Sequence, residues 1–231
     1  MSAVDTLIAD ARAVIARGLA VANKPLIAFS GGKDAIAVAL LAREFGVVDA
    51  VCEESFYFTM QREDTRALVR QLGLRCTFKD SMDASLFVKH PEFLFSRDNA
   101  VRSRYFSRRQ QGAVAAFARQ GGYDAVLFGR RNDTNSVRAD VYLKDGRYQV
   151  MPIRRWREPD VWKYLRARDV TPPRVYATPY GRNQHNGPWN IYNAHASIRE
   201  CWRDIYAIEA RVVEDAARAG VTSAIDFLQT V

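Results

Sequence analysis

The chain has 231 residues, 48% of them hydrophobic, and a formal net charge of +8 from 34 Lys and Arg against 26 Asp and Glu. That is enough apolar material for a substantial core, and no stretch approaches the ~20 apolar residues of a membrane span. Cys52, Cys76 and Cys201 are odd in number, widely spaced and without a CxxC pair, which argues against a disulfide framework and against a cysteine-held metal or iron–sulfur cluster.

In chain order, residues 3–20 carry Val4, Leu7, Ile8, Ala11, Val14, Ile15 and Leu19 at helical spacing, with no continuous apolar core of signal-peptide type. The expected compartment is the cytoplasm. "PLIAFS" predicts a short buried strand opened by Pro25. Asp34 to Phe45 predicts a helix ended by Gly46, "VVDAVCEES" a second strand, and Thr59 to Leu72 a helix stopped by Gly73. "LRCTFKD" predicts a third strand, and an arginine-rich helix follows over about Ala100 to Gln120. "YDAVLFGRR" predicts a fourth strand, "VRADVYLKDGRYQVMPI" a hairpin turning at Asp145-Gly146, and "PDVWKYLRAR" a helix with Pro159 as its first residue. The tail from Ala194 reads as helical. Neither a linker, a low-complexity tract nor a repeat divides the chain, so residues 1–231 are expected to form a single domain. Strands alternating with helices predict an α/β fold: three α/β/α layers, a mainly parallel twisted sheet and a helical C-terminal tail. Ligands of such sheets sit at the carboxyl ends of the strands, where both Ser30–Asp34 and Gly129–Arg138 fall.

The charge is concentrated in arginines: Arg97, Arg102, Arg104, Arg108 and Arg109, then Arg130, Arg131 and Arg138, then Arg154, Arg155 and Arg157. Such clusters suit an anionic ligand or a nucleic acid, with a solvated basic surface as the alternative. "RSRYFSRR" interleaves arginines with Tyr105 and Phe106. That pattern suits phosphate contact with base stacking, or equally a crossover helix that buries its aromatics.

"FSGGKDA" lies between the first strand and the helix after it. A Walker A loop would need a glycine where Ile27 stands and a hydroxyl where Asp34 stands, and a third glycine for GxGxxG is missing. The context still suits an anion. The N–H groups of Gly31, Gly32 and Lys33 can converge on a phosphate at the positive end of a helix, Lys33 adds a point charge, and Asp34 can hold Mg²⁺ or water.

This stretch resembles the PP-loop, SGGxDS, of ATP pyrophosphatases. Two further segments resemble the phosphoadenylylsulfate (PAPS) reductase and ATP sulfurylase small-subunit family. In "GRRNDTNSVR", Gly129, Arg131, Asp133 and Arg138 match GxRRDExxxR, with Asn132 and Thr134 departing from it. In "PIRRWREPDVWKYL", Pro152, Trp156, Glu158, Asp160, Val161, Trp162 and Tyr164 match PLxxWTExDVWxYI. The resemblance covers about Pro25 to Tyr176 and implies an adenine nucleotide alpha hydrolase-like fold. It implies a nucleotide site built by Ala28, Phe29, Ser30, Gly31, Gly32, Lys33, Asp34 and Gly129. It also implies catalysis by Lys33, Asp34 and Arg131, anion contacts from Arg131, Asp133 and Arg138, and a weak Mg²⁺ site on Asp34; the alternative is that Arg131 and Arg138 only tie down Asp133 and neighbouring acids.

Trp156, Trp162 and Tyr164 are expected to pack in the core, with an adenine platform as the alternative, and Glu158 and Asp160 to cap their helix. Glu200-Cys201 lacks the ECGLH-like context of PAPS reductases, so Cys201 is expected as a buried thiol. The ligand is then ATP with Mg²⁺, or PAPS, and no iron–sulfur cluster.

Three functions stay open: adenylyl transfer at the α-phosphate of ATP to a small anion such as sulfate, a PAPS-binding protein without the reductive cysteine, and a nucleic-acid-modifying enzyme. No membrane partner is expected, and a homo-oligomer stays open. The loop Ala177 to Asn193 suits either a lid or a long connection, with Arg182 and His185 as candidate substrate contacts; His90 and His195 lack partners at ligand spacing. Ala35 replaces the family's serine and forfeits a hydroxyl whose hydrogen bond to a charged phosphate is worth roughly 1.5–3 kcal/mol.

Overall fold

The structure is a computed structural model that describes residues 3–54, 58–80, 84–106, 111–133, 139–178 and 197–231. Its strands are β1 (Pro25–Ala28), β2 (Asp49–Glu54), β3 (Arg75–Asp80), β4 (Ala125–Leu127), β5 (Val141–Lys144) and β6 (Arg147–Val150). Its helices are α1 (Ala3–Leu19), α2 (Lys33–Arg43), α3 (Thr59–Gln71), α4 (Ser85–Lys89), α5 (Asn99–Phe106), α6 (Gly112–Gln120), α7 (Glu158–Arg166), α8 (Ile198–Ile208), α9 (Ala210–Arg218) and α10 (Thr222–Leu228). The six strands form one sheet in the order β3-β2-β1-β4-β6-β5. β1 pairs in parallel with β2 and β4, and β4 with β6; only the β5–β6 hairpin is antiparallel among the registers described. Its turn places Asp145 at φ 51° and Gly146 at φ 74°, the two left-handed positions that a two-residue Asp-Gly turn requires.

The elements follow the sequence with modest differences. Pro159 is the second residue of α7, not the first. Helix is found on both sides of residues 107–110, which lie outside the described residues. The short α4 and the 3₁₀ turn Pro91–Phe93 have no strong periodic signal and were not expected.

The described chain divides into two compact units. The first comprises Met1–Cys52, Asp64–Lys79 and Val114–Pro173. Its strands alternate sides with the two-residue period of a pleat. Ile27, Ala50, Ala125 and Leu127 face a core completed by α1, α2, α3 and α7, while Leu26, Val51 and Val126 face Val114 and Ala118 of α6. Helices therefore cover both faces, and β1 feeds two cores with four residues. Trp156 and Tyr164 meet edge to face at 5.2 Å inside the larger core, where the Trp156 indole donates to the Leu7 carbonyl at 3.2 Å. Core packing is thus the observed role of both.

The second unit comprises Glu53–Glu63, Asp80–Ala113 and Arg174–Val231. Phe58, Phe87, Phe93, Phe95, Trp202, Ile205, Val213 and Phe227 are the large residues of its core. Ser197 and Glu200 cap α8 reciprocally, the Glu200 N–H donating to Ser197 Oγ at 3.2 Å and the Ser197 N–H to Glu200 Oε2 at 2.6 Å. Cys201, one residue on, is buried among these apolar side chains, as the sequence suggests.

Candidate functional site

The strand order reverses direction at β1, whose successor β2 lies on one side and β4 on the other. This is the switch point at which open α/β sheets leave a crevice for ligands. The chain leaves β1 at Ala28. Phe29 is buried and donates its N–H to the Val51 carbonyl at 2.9 Å, continuing the sheet by one residue. Ser30 then turns the chain, its Oγ accepting the Gly32 N–H at 3.3 Å. Gly31 takes φ 76°, and a Cβ there would stand 2.3 Å from Thr65 Oγ1, so the position needs glycine for conformation and for space alike. Gly32 is the N-cap of α2, and its carbonyl accepts the Ile36 N–H at 2.9 Å. The first N–H groups of α2 therefore stand at the carboxyl edge of the sheet, where a helix start favours an anion.

Gly129, just beyond β4, leans on that helix start. A Cβ at 129 would lie 2.7 Å from the Asp34 carbonyl carbon and 2.9 Å from the Ala35 nitrogen. The glycine shared with the family motif thus seats one strand end on the first turn of α2.

Charged side chains gather at the same turn. Lys33 is only 4% exposed, and its Nζ lies 3.8 Å from Asp34 Oδ2 and 3.9 Å from Glu158 Oε1. Arg131 is 1% exposed; its Nε lies 3.0 Å from Asp34 Oδ1 and its Nη1 pairs with Asp133. The Asn132 N–H donates to the Arg154 carbonyl at 2.8 Å, which fixes the backbone that carries Arg131. Burial pushes the Asp34 carboxyl above its ordinary value, and the neighbouring Lys33 and Arg131 charges pull against that rise. Burial likewise lowers Arg130, whose guanidinium lies 4.8 Å from the Phe128 ring centroid.

The structure thus brings together Ala28, Phe29, Ser30, Gly31, Gly32, Lys33, Asp34, Gly129, Arg131 and Asp133. Arg138, Arg182 and His185 lie outside the described residues. Two neighbours of the site were not read from the sequence as part of it. Thr65 is buried against Gly31, with its Oγ1 unbonded among the described residues. Glu158, expected as a helix cap, reaches Lys33 instead and accepts the Trp162 indole N–H at 3.2 Å, while Asp160 does the capping. The motif match at Glu158, four residues before Trp162, was the available signal for it; Thr65 carries none.

The profile of the phosphoadenosine phosphosulfate reductase domain family matches residues 24–182. A sulfate adenylyltransferase subunit 2 of Mycolicibacterium gilvum (strain PYR-GCK) is 26% identical over 203 residues, 76% of this chain; the match spans 65% of that relative's length. Among solved structures, the PAPS reductase of Candida auris in its phosphate complex superposes with a TM-score of 0.57 at 14% identity, over 77% of this chain and 92% of that one. NMN synthetase of Francisella tularensis superposes with the same TM-score, 0.57, at 14% identity over 98% and 97%. At such identities the two structures show a shared fold. With the loop, the strand ends and the family match in agreement, this chain belongs to the phosphoadenosine phosphosulfate reductase domain family.

Proposed function

We propose that this chain binds ATP at the Ser30–Asp34 loop and transfers its adenylyl group to a small oxyanion of the sulfate class, releasing pyrophosphate. The observation that carries this reading is the loop itself: glycine backbone, helix start and Lys33 converge at the sheet's switch point, in a family that includes a sulfate-adenylylating relative. An oxygen of the acceptor would attack the α-phosphorus, and the bond from that phosphorus to the bridging oxygen would break. The electron pair would leave with pyrophosphate. The Gly31 and Lys33 N–H groups and the Lys33 ammonium would hold the charge that grows on the leaving oxygens, joined by the Gly32 N–H if it exchanges Ser30 Oγ for a phosphate oxygen.

Arg131 is buried between two carboxylates, so its work in this scheme is to hold Asp34 in place. Asp34 Oδ1 is buried against Arg131, while a quarter of the side chain stays exposed. That leaves a carboxylate edge fit for a magnesium ion bound mainly through phosphates. Such an ion supplies neutralising charge to the phosphates. Arg138, Arg182 and His185 are proposed acceptor contacts, and residues 1–231 are proposed to work as one nucleotide-binding domain. The relative is called a subunit, and a partner subunit is proposed here too, beside the homo-oligomer that the sequence leaves open. Cys201 is buried in the second unit's core, so the PAPS-binding alternative stays one without a reductive cysteine.

The test is incubation with Mg²⁺ and α-labelled ATP, with and without sulfate. Labelled adenylyl product and pyrophosphate are expected; ADP and inorganic phosphate would refute the reading. Tight PAPS binding without turnover would favour a PAPS-binding protein, and steeply salt-dependent binding of DNA or RNA a nucleic-acid enzyme.

A further inference from the structure

The two carboxylates beside Lys33 are held differently. Asp34 is paired with a buried cation: Arg131 Nε sits 3.0 Å from its Oδ1. Glu158 comes from another element. Its Oε1 lies 3.9 Å from Lys33 Nζ and accepts one hydrogen bond from Trp162, and its side chain is 30% exposed. The helix does not need Glu158 for its own start, because the Arg157 N–H already donates to Asp160 Oδ2 at 2.8 Å. Nor can α7 drift away. Val161, Tyr164 and Leu165 are buried in the core that α7 shares with α2. A rigid helix thus presents a carboxylate to the ammonium of the phosphate loop, with solvent on one side into which that carboxylate can swing.

We propose that Glu158 is an internal counter-ion that an incoming phosphate displaces from Lys33, so that α7 sets how tightly the loop holds phosphate. The inference rests on the reading of the loop as a phosphate site. Lys33, nine-tenths buried, needs negative charge nearby when no ligand is bound. Glu158 supplies it. A phosphate arriving at the same ammonium meets a like charge that either moves aside or weakens its binding. Glu158 therefore makes the empty loop stable and the filled loop weaker than its donors alone would make it. For an enzyme that must release pyrophosphate, that is a device for product dissociation.

Inorganic pyrophosphate binding to the full chain, followed by calorimetry, tests this. Glu158→Gln keeps the acceptor for Trp162 and removes the charge; it should bind pyrophosphate about tenfold tighter than the natural chain. Trp162→Phe removes the tether together with some packing against the larger core, and should give a smaller gain, which serves if the first variant does not fold. In a Lys33→Met background the gain from Glu158→Gln should vanish, as a pairwise coupling requires. An unchanged or weaker affinity in a folded Glu158→Gln protein, or an equal gain without Lys33, would overturn the proposal. If the natural chain and Lys33→Met bind pyrophosphate alike, the phosphate-loop reading falls and the counter-ion with it. If binding depends on Lys33 but ignores Glu158, only the counter-ion falls.

Discussion

Ala35 occupies the third position of α2, where the family's serine offers a hydroxyl to phosphate. It is 6% exposed and belongs to the larger core cluster, so its methyl faces apolar neighbours at the rim of the loop. Ala35→Ser sets a hydrogen bond to a charged phosphate, worth roughly 1.5–3 kcal/mol, against the smaller helix preference of serine. We expect ATP to bind about tenfold tighter in a titration, with a lowered thermal midpoint without ATP, where the buried hydroxyl lacks a partner, that ATP restores. Unchanged affinity with a lowered midpoint that ATP does not restore would show that position 35 serves the core alone. The neighbouring charges show where sequence reading stops. Lys33, Asp34 and Gly129 were legible because a glycine-rich break between a strand and a helix has few other uses. Glu158 was legible only as a helix-start carboxylate, since its distance from Lys33 depends on how α7 packs against α2. Thr65 had no local pattern at all; it matters only because Gly31 has no side chain.

Among elements, the contact between the end of β4 and the start of α2 is close against backbone. A methyl group at position 129 would overlap backbone atoms of Asp34 and Ala35, which cannot rotate away as a side-chain tip can. Gly129→Ala should cost about 1–3 kcal/mol in urea unfolding, as overpacking does. It should also weaken ATP binding, because the helix start is what must move. A loss of stability with full ATP affinity would mean that the strain is absorbed on the β4 side.

The same scale explains the arginine clusters. Arg154 and Arg155, adjacent in sequence, both turn to Asp140, at 2.6 and 3.3 Å, and Arg17 of α1 joins them at 3.3 Å. Part of what read as a ligand-binding basic run therefore ties α1 to the exit of β6. A charge run shows the number of cations in a sequence but not the carboxylates that the fold brings to them.

For the molecule as a whole, the alternation of apolar residues and the positions of Gly46, Gly73 and Asp145-Gly146 were enough to anticipate a mostly parallel sheet with helices on both sides. The short α4 and the Pro91–Phe93 turn were not, because three to five residues carry too little periodicity to register. β1 has a consequence beyond architecture. It is flanked by partners on both edges and packed on both faces, whereas β5 is an edge strand with Leu143 62% exposed. Deuterium should therefore enter the amides of Leu26–Phe29 among the last in the chain and those of Val141–Lys144 far earlier; equal rates would contradict this. The Ser30–Asp34 loop thus begins at a segment whose opening is expected to require nearly complete unfolding. Its floor would then persist for as long as the folded molecule does, and the nucleotide proposed to bind there would meet the same cradle each time.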